Sequence, residues 1–336
     1  MIKRFVPLAL FGFMALPAWS QEAPPAAEAA AAPAPAPEKI LVVGQRPGPG
    51  LWKVSKGEHV LWVFATYSPL PAKMEWRSQQ VEAILAQSQE YLLPPGWSAG
   101  VGLWRGLTLL PYAIGFKKSP DGAHLKDLMP PEVHARWLAL KDKYIGEDDD
   151  IERERPVFAA DDLFSKALRK SGLSKGYEVR QAIEAIVKKN KIKTTSSTIS
   201  VEFDDPAKSL KEFKKSSMDD IDCFSKTIDR LETDLDAMRV RANAWAKGDL
   251  DAIQKLSYAD SDAACSAAFE SSSIVKGQAA FQDMRRRSRD AWLAVAEKAL
   301  TANASSFALL PLKDVLDPQG SLAQLQAKGY VVEKPE

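Results

Sequence analysis

Short β-rich runs lie near both ends of this chain, and helical patterns fill the sequence between them. The runs 51–55 and 60–65 flank a polar turn, which is the pattern of a β-hairpin. Near the other end, residues 305–310 form an apolar run typical of a buried strand, and residues 330–332 form a last short one. These runs predict an α/β fold: a central mixed β-sheet formed by the N- and C-terminal segments, with a large helical insertion at about 120–300.

The remaining elements follow from apolar spacing and from turn residues. Helices are predicted at 76–89, 131–144, 160–171, 177–190, 219–247, 278–301 and 322–328. Gly248 fits the position just after the helix 219–247, and Asp249 fits the N-cap of the next helix. Two more strands are predicted at 39–44 and 198–203, and the polar stretch 188–195 is expected to be a loop.

Residues 1–20 have the features of a secretory signal peptide. Lys3 and Arg4 precede an apolar run that ends at Ala18, and Ser20 completes a small-x-small cleavage pattern. The alternative is a membrane anchor, but the run is shorter than the ~20 residues that a spanning helix needs. We therefore expect cleavage after Ser20 and a periplasmic protein without a membrane span.

The residues behind the signal peptide divide into a linker and a domain. Residues 21–38 are rich in alanine and proline, a composition that favours an extended linker. Residues 39–336 are predicted to form a single domain.

Composition excludes some classes of function. The chain has 336 residues, with 45 Lys and Arg against 44 Asp and Glu, so its net charge of +1 argues against a nucleic-acid-binding protein. It has only three histidines, which limits histidine-based metal sites. The sequence contains no P-loop and no dinucleotide-binding glycine pattern, and we expect no cofactor.

The two cysteines are expected to form one structural disulfide, because an exported protein matures where disulfides persist. Cys223 and Cys265 lie on either side of the turn predicted at 247–249, so two antiparallel helices could bring them together. The alternative is a pair of buried free thiols.

Several other clusters have ordinary structural interpretations. The acidic run 147–152 lacks the ligand spacing of an EF-hand and is expected to be a solvated loop. Residues 285–287 are expected on an exposed helix face, with Arg289 turned inward to bind strand carbonyls or the neighbours of Asp290. The alternative is a binding patch for an anionic partner. The tryptophans at positions 52, 62, 245 and 292 are expected to fill the core rather than to bind glycans.

Three blocks of sequence together resemble the TraB/PrgY/GumN family, which is related to the Tiki proteases. The first block is LWKV followed by LWVFATYSPLP, within residues 51–71. The second is AWAKGDL at 244–250, and the third is RDAW at 289–292 followed by SFALL and PQGSLAQLQAKGYVV within 306–332. The resemblance covers about residues 50–332.

The resemblance implies a metal site whose residues this chain does not retain. Family members with a proposed metalloprotease role carry a Gly-x-x-His motif, a glutamate, an Arg-Asn pair and a second Gly-x-x-His motif. The matching positions are occupied here by Ala65 and Ser68, by Pro94, by Arg289 and Asp290, and by Pro311 and Asp314. Among these, only the arginine is unchanged.

These replacements favour a pseudoenzyme over a peptidase. Ser68 is a poor ligand, and Asp314 has no evident partners from the first motif. We therefore expect an exported, non-catalytic protein that binds a peptide or an envelope partner in the cleft where family members cut. One alternative is a metal-dependent hydrolase with a site rebuilt from Asp314, Asp290 and a histidine. The other is a structural or assembly protein of the cell envelope that uses the helical insertion as its interface.

Overall fold

A computed structural model describes residues 49–335 except 75, 77, 101–102, 256–260, 277–280 and 282. The predicted signal peptide, the linker and the strand at 39–44 lie outside the described residues. All described residues belong to the unit Lys39–Glu336.

The strands and helices alternate along much of the chain. The strands are β1 (Leu51–Lys56), β2 (His59–Thr66), β3 (Leu70–Pro71), β4 (Glu90–Leu92), β5 (Trp97–Ala99), β6 (Leu173–Ser174), β7 (Lys193–Thr195), β8 (Ile199–Val201), β9 (Ser305–Pro311) and β10 (Val331–Glu333). The helices are α1 (Gln79–Gln87), α2 (Leu103–Ala113), α3 (Leu125–Leu128), α4 (Pro131–Tyr144), α5 (Pro156–Lys170), α6 (Tyr177–Lys189), α7 (Pro206–Lys215), α8 (Ile221–Thr233), α9 (Leu235–Ala246), α10 (Leu250–Lys255), α11 (Ser261–Ser271), α12 (Ser273–Lys276), α13 (Met284–Ala302), α14 (Leu312–Leu316) and α15 (Ser321–Ala327). Short 3-10 helices span Pro120–Gly122 and Asp150–Arg153.

The central sheet joins the two ends of the described chain, as the sequence predicts. Its strand order is β10-β1-β2-β9-β4-β7. The strand β1 is antiparallel to both of its neighbours, β10 and β2, whereas β2, β9, β4 and β7 run parallel to one another. The predicted hairpin therefore belongs to the antiparallel part of a mixed sheet, and the predicted α/β fold class is confirmed. β3 pairs with β6, and β5 pairs with β8, in two small separate sheets.

The main core lies on this sheet. Trp292, Ala296 and Leu300 of α13 are buried in it together with residues of α1 and α6 and with the strands β1, β2 and β9. Trp52 and Trp245 belong to the same core, and Trp62 is partly buried against it, which confirms the structural role predicted for these tryptophans. A second core, formed mainly by α4, α5 and α8 around Trp137 and Phe224, lies within the helical insertion.

The predicted disulfide is present and joins α8 to α11. The Cα atoms of Cys223 and Cys265 are 4.5 Å apart. Gly248 follows α9 with a φ of 70°, and the Asp249 carboxylate accepts a hydrogen bond from the Ala252 amide at 3.1 Å, so both predicted turn roles are confirmed. The bridged helices are not the two arms of a hairpin, however, because α9 and α10 lie between them in the chain.

Three predicted elements need correction. The helix expected at 219–247 is two helices separated at Asp234, whose carboxylate turns inward to buried arginines. The stretch 188–195, expected to be a loop, contains the edge strand β7, whose Thr195 side chain donates a hydrogen bond to Glu90 of β4. The helix predicted from 278 begins, within the described residues, at Met284.

No described helix combines the length and the apolar character that crossing a bilayer requires.

Candidate binding cleft

The carboxyl ends of three adjacent parallel strands form one edge of a cleft. Thr66 at the end of β2 lies opposite Pro311 at the end of β9, and Leu92 of β4 lies opposite Ala308 of β9. Because parallel strands end at the same sheet edge, the residues that follow them converge there, which is where open α/β sheets bind ligands. The resulting cavity of about 940 Å³ is named the strand-end cleft here.

The strand-end cleft brings together three of the positions singled out in the sequence. Ser68, Pro94 and Pro311 all line it. Ser68 is exposed, whereas Ala65, the first residue of the same motif, is buried in β2 and does not reach the cavity. Positions from three different motifs therefore converge on one cavity, although they are far apart in the sequence.

One helix holds the end of β2 in position. Trp245 of α9 donates its indole N–H to the Ala65 carbonyl at 2.7 Å, and Arg241 of the same helix donates to the Tyr67 hydroxyl at 3.2 Å. These two side chains lie four residues apart and so point the same way from the helix. These two hydrogen bonds attach the helical insertion to residues 65–67, directly before Ser68.

A buried chain of charges extends this attachment. Arg241, which is 1% exposed, forms an ion pair with Asp234. Arg230 lies 4.0 Å from the same carboxylate and 3.2 Å from Asp262 of α11. Asp262, whose side chain is 60% exposed, also lines the strand-end cleft, so the network runs from Tyr67 through α9 and α8 to a second lining residue of the cavity.

The remaining lining of the cleft is partly apolar and partly charged. Apolar surface comes from residues such as Leu312 and Ile253, and Tyr177 stands at the wall with 60% of its surface exposed. Cationic groups come from Lys175, Arg180 and Lys313, and anionic groups from Asp262 and Asp317. A cavity with an apolar floor and a few charged groups of both signs is suited to an organic ligand such as a peptide.

A second cavity of about 1050 Å³, named the side cavity here, is lined by two further motif positions. Asp314 and Arg289 line it, and Pro311 lines both cavities. Arg289 donates to the Gln319 carbonyl at 3.0 Å rather than to a strand carbonyl, which corrects the predicted partner. The neighbouring arginines 285–287 are exposed, as expected.

Asp314 is held by the turn that begins α15. One of its carboxylate oxygens accepts from the Ser321 amide at 3.4 Å. Burial raises the pKa of this carboxyl above its ordinary value, and Ser321 and the charge of Arg289 oppose that rise only in part. Gly320 makes this approach possible, because a Cβ there would overlap the Asp314 carbonyl oxygen.

The carboxylates and histidines proposed for a rebuilt metal site are not brought together. Asp290 is exposed and lies 3.4 Å from Arg286 on its own helix. His59 bonds to the Asn303 carbonyl at the other end of β2, His134 lies 3.2 Å from Glu152, and His124 precedes α3. Across the part of the chain that the structure describes, no group of three or more His, Cys, Asp or Glu side chains could hold a metal ion.

The residues at the motif positions do not fit a transition metal. Ser68 offers a neutral hydroxyl, the two prolines offer no side-chain donor, and Asp314 is engaged at the side cavity. Zinc and similar ions need rigidly placed imidazole, carboxylate or thiolate ligands. We therefore derive no metal-dependent step for this cleft.

Fold and cleft together define an α/β protein with a ligand-sized cavity at the carboxyl ends of its parallel strands. The model of the TraB/PrgY/gumN family matches residues 50–334, and the chain belongs to this family. No curated protein and no solved structure gives a significant match to it.

Proposed function

We propose that this chain is a non-catalytic member of the TraB/PrgY/gumN family that binds a peptide segment of an envelope partner in the strand-end cleft. The observation that carries the proposal is the side-chain set at the strand ends. Ser68, Pro94 and Pro311 supply no metal ligand and no activated nucleophile, while the cavity around them remains about 940 Å³ in volume.

The walls of the cleft suit an extended peptide. An exposed tyrosine and buried leucines offer apolar contacts, and charged side chains of both signs surround them. The network of polar contacts from Tyr67 to Asp262 ties two lining residues of the cleft to α9 and α8, which reduces the ordering cost of binding.

We expect the purified protein to hold no zinc, manganese or iron after extensive dialysis, because the strand ends lack ligands. Elemental analysis of the protein checks this expectation. A variant with Ser68→His, Pro94→Glu and Asp314→His is the matched control, since it restores ligand types at three motif positions. Stoichiometric metal in the natural chain that is lost on Asp314→Ala would contradict the proposal and favour a rebuilt hydrolase.

Peptide binding can be tested with a random library of 12-residue peptides displayed on phage. A selected peptide is expected to bind the natural chain, and its affinity should fall by about tenfold or more in Ser68→Trp, which fills the cleft, and in Tyr177→Ser, which removes an exposed ring. Leu138→Ser is the matched control, because Leu138 is 45% exposed and does not line the cleft.

Three results would argue against this function. Equal enrichment of peptides by the natural chain and by Ser68→Trp would show that the cleft is not the binding site. Cleavage of the selected peptides, detected by mass spectrometry with added divalent metals, would show a hydrolase instead. Crosslinks to envelope proteins that map only to the helical insertion would favour the structural or assembly role.

Export is the second part of the proposal, and it rests on the charge, length and cleavage pattern of residues 1–20. We expect the mature protein to begin at Gln21 and to occur in the periplasmic fraction of a Gram-negative host. Intact-mass analysis of that fraction measures the N-terminus. A mass that retains residues 1–20 would indicate an uncleaved anchor.

A further inference from the structure

Helix α2 presents an apolar stripe to solvent on the face opposite the one that packs on the protein. Leu107 and Leu110 are 50% and 60% exposed, and Ile114, the first residue after the helix, is 75% exposed. Their spacing of three and four residues places them on one face. Leu109, Tyr112 and Phe116 have the same spacing but are half-buried. An ordinary amphipathic helix has one apolar face, which packs on the protein. Helix α2 has a second apolar face, which no described residue covers.

The inward side of this segment is firmly attached, so the exposed stripe is not a loosely placed helix. Phe116 stacks on Phe213 of α7 with ring centroids 4.5 Å apart. Lys214 donates to the Ile114 carbonyl at 2.9 Å, and the Lys211 ammonium lies 4.8 Å from the centre of the Tyr112 ring. Helix α7 therefore holds the end of α2 and places Lys214 at Ile114, the last residue of the stripe.

Positive charge lies in the second half of α7, where residues 211–215 contain three lysines and one glutamate. The charge of the whole helix is smaller, because Asp204 and Asp205 precede it and residues 204–215 carry a net charge of +1. Three other lysines of this region have acidic partners: Lys117 pairs with Asp162, Lys118 with Asp150 and Lys208 with Glu212. The cations considered for the docking surface are therefore the lysines within residues 211–215.

We propose that the α2 stripe and the α7 lysines form a docking surface for an anionic phospholipid membrane. An apolar helix face flanked by cations is the pattern of interfacial helices, which place aliphatic side chains among the acyl chains while lysines meet the headgroups. Neither signal alone binds stably, and this surface supplies both.

Charge and size favour a lipid surface over a protein. Two copies of this surface would bring their positive charges face to face, which disfavours self-association. Residues 107–114 extend only about 10 Å along the helix, whereas a stable protein interface buries about 800 Å² on each partner. A bilayer needs no shape complementarity, so a short convex stripe is sufficient.

Co-sedimentation with vesicles tests the proposal. The chain is expected to bind vesicles of equimolar phosphatidylglycerol and phosphatidylcholine, and to bind less with added salt or with phosphatidylcholine alone. Leu110→Ser with Ile114→Ser should weaken binding by about tenfold or more, and Lys211→Gln with Lys215→Gln by about fivefold per lysine. Leu138→Ser, an exposed leucine on α4, is the matched control and should bind like the natural chain.

Three results would overturn the proposal. The first is the absence of binding to the anionic vesicles. The second is unchanged binding by the Leu110 and Ile114 variant, which would assign the affinity to another segment. A natural chain that is dimeric in solution, with the same variant monomeric, would show that a second copy covers the stripe. Circular dichroism of each variant confirms that these exposed substitutions leave the fold intact.

Discussion

Arg241→Ala is expected to lower the free energy of unfolding by about 3–5 kcal/mol, because it leaves a buried charge without its main partner. The substitution removes the ion pair with Asp234, which is 5% exposed, and the hydrogen bond to Tyr67. Arg230 lies 4.0 Å from the same carboxylate and cannot replace both contacts. Urea denaturation followed by circular dichroism measures the loss.

Arg239→Ala is the matched control for this experiment. Arg239 lies on the same helix and pairs with Asp236, whose side chain is 96% exposed, and it donates a hydrogen bond to the Ser171 carbonyl at 3.0 Å. A surface ion pair contributes less than about 1 kcal/mol and a hydrogen bond of this kind about 1 kcal/mol, so a loss of about 2 kcal/mol or less is expected. Equal losses for the two arginines would show that the buried pair of Arg241 and Asp234 has no special weight.

Replacing both cysteines by serine is expected to lower the free energy of unfolding by about 4 kcal/mol in the chain-entropy model. The bridge closes a loop of 42 residues in sequence separation and joins α8 to α11. Asp262 of α11 lines the strand-end cleft. Loss of the disulfide should therefore also loosen this part of the cleft and weaken peptide binding.

Denaturant curves with and without reductant measure the contribution of the bridge. Reductant should destabilise the natural chain and leave the double serine variant unchanged, which is the internal control. Two cysteines labelled per chain under denaturing, non-reducing conditions would show that the bridge does not form in the cell. A stability indifferent to reductant would contradict the expected magnitude.

The elements predicted correctly from the sequence are those for which the local residue pattern alone is enough to identify a helix or a strand. The hairpin of β1 and β2, the buried strand β9 and the helix α4 have clear periodicity and end at turn residues. The sequence does not indicate β7, because its three residues are polar and lie at a sheet edge, where pairing with β4 rather than side-chain burial stabilises them. The break at Asp234 depends on arginines that the helical pattern does not reveal.

The sequence indicates which strand ends line the candidate site, but it does not indicate the hydrogen bonds that hold the end of β2 in place. Ser68, Pro94 and Pro311 were singled out through the family motifs, and their convergence follows from parallel strands ending at one edge. The hydrogen bonds from Trp245 to Ala65 and from Arg241 to Tyr67 join residues about 180 positions apart in the sequence, and only the folded chain brings these partners together. A tryptophan and an arginine four residues apart in one helix were the available signal, and many helices carry such a pair for no comparable reason.

The register of the outer strands has a practical consequence for labelling. β1 begins beside Phe64, near the end of β2, and β10 finishes beside Lys53 of β1. The first and last strands therefore meet solvent at the same sheet edge as the strand-end cleft. An affinity tag or fluorophore attached beyond Glu333 would lie at the same sheet edge as the cleft, two strands away from β2, where a bulky group could reach a bound ligand. The turn at Gly57, at the opposite edge, offers an attachment point that leaves the cleft unobstructed.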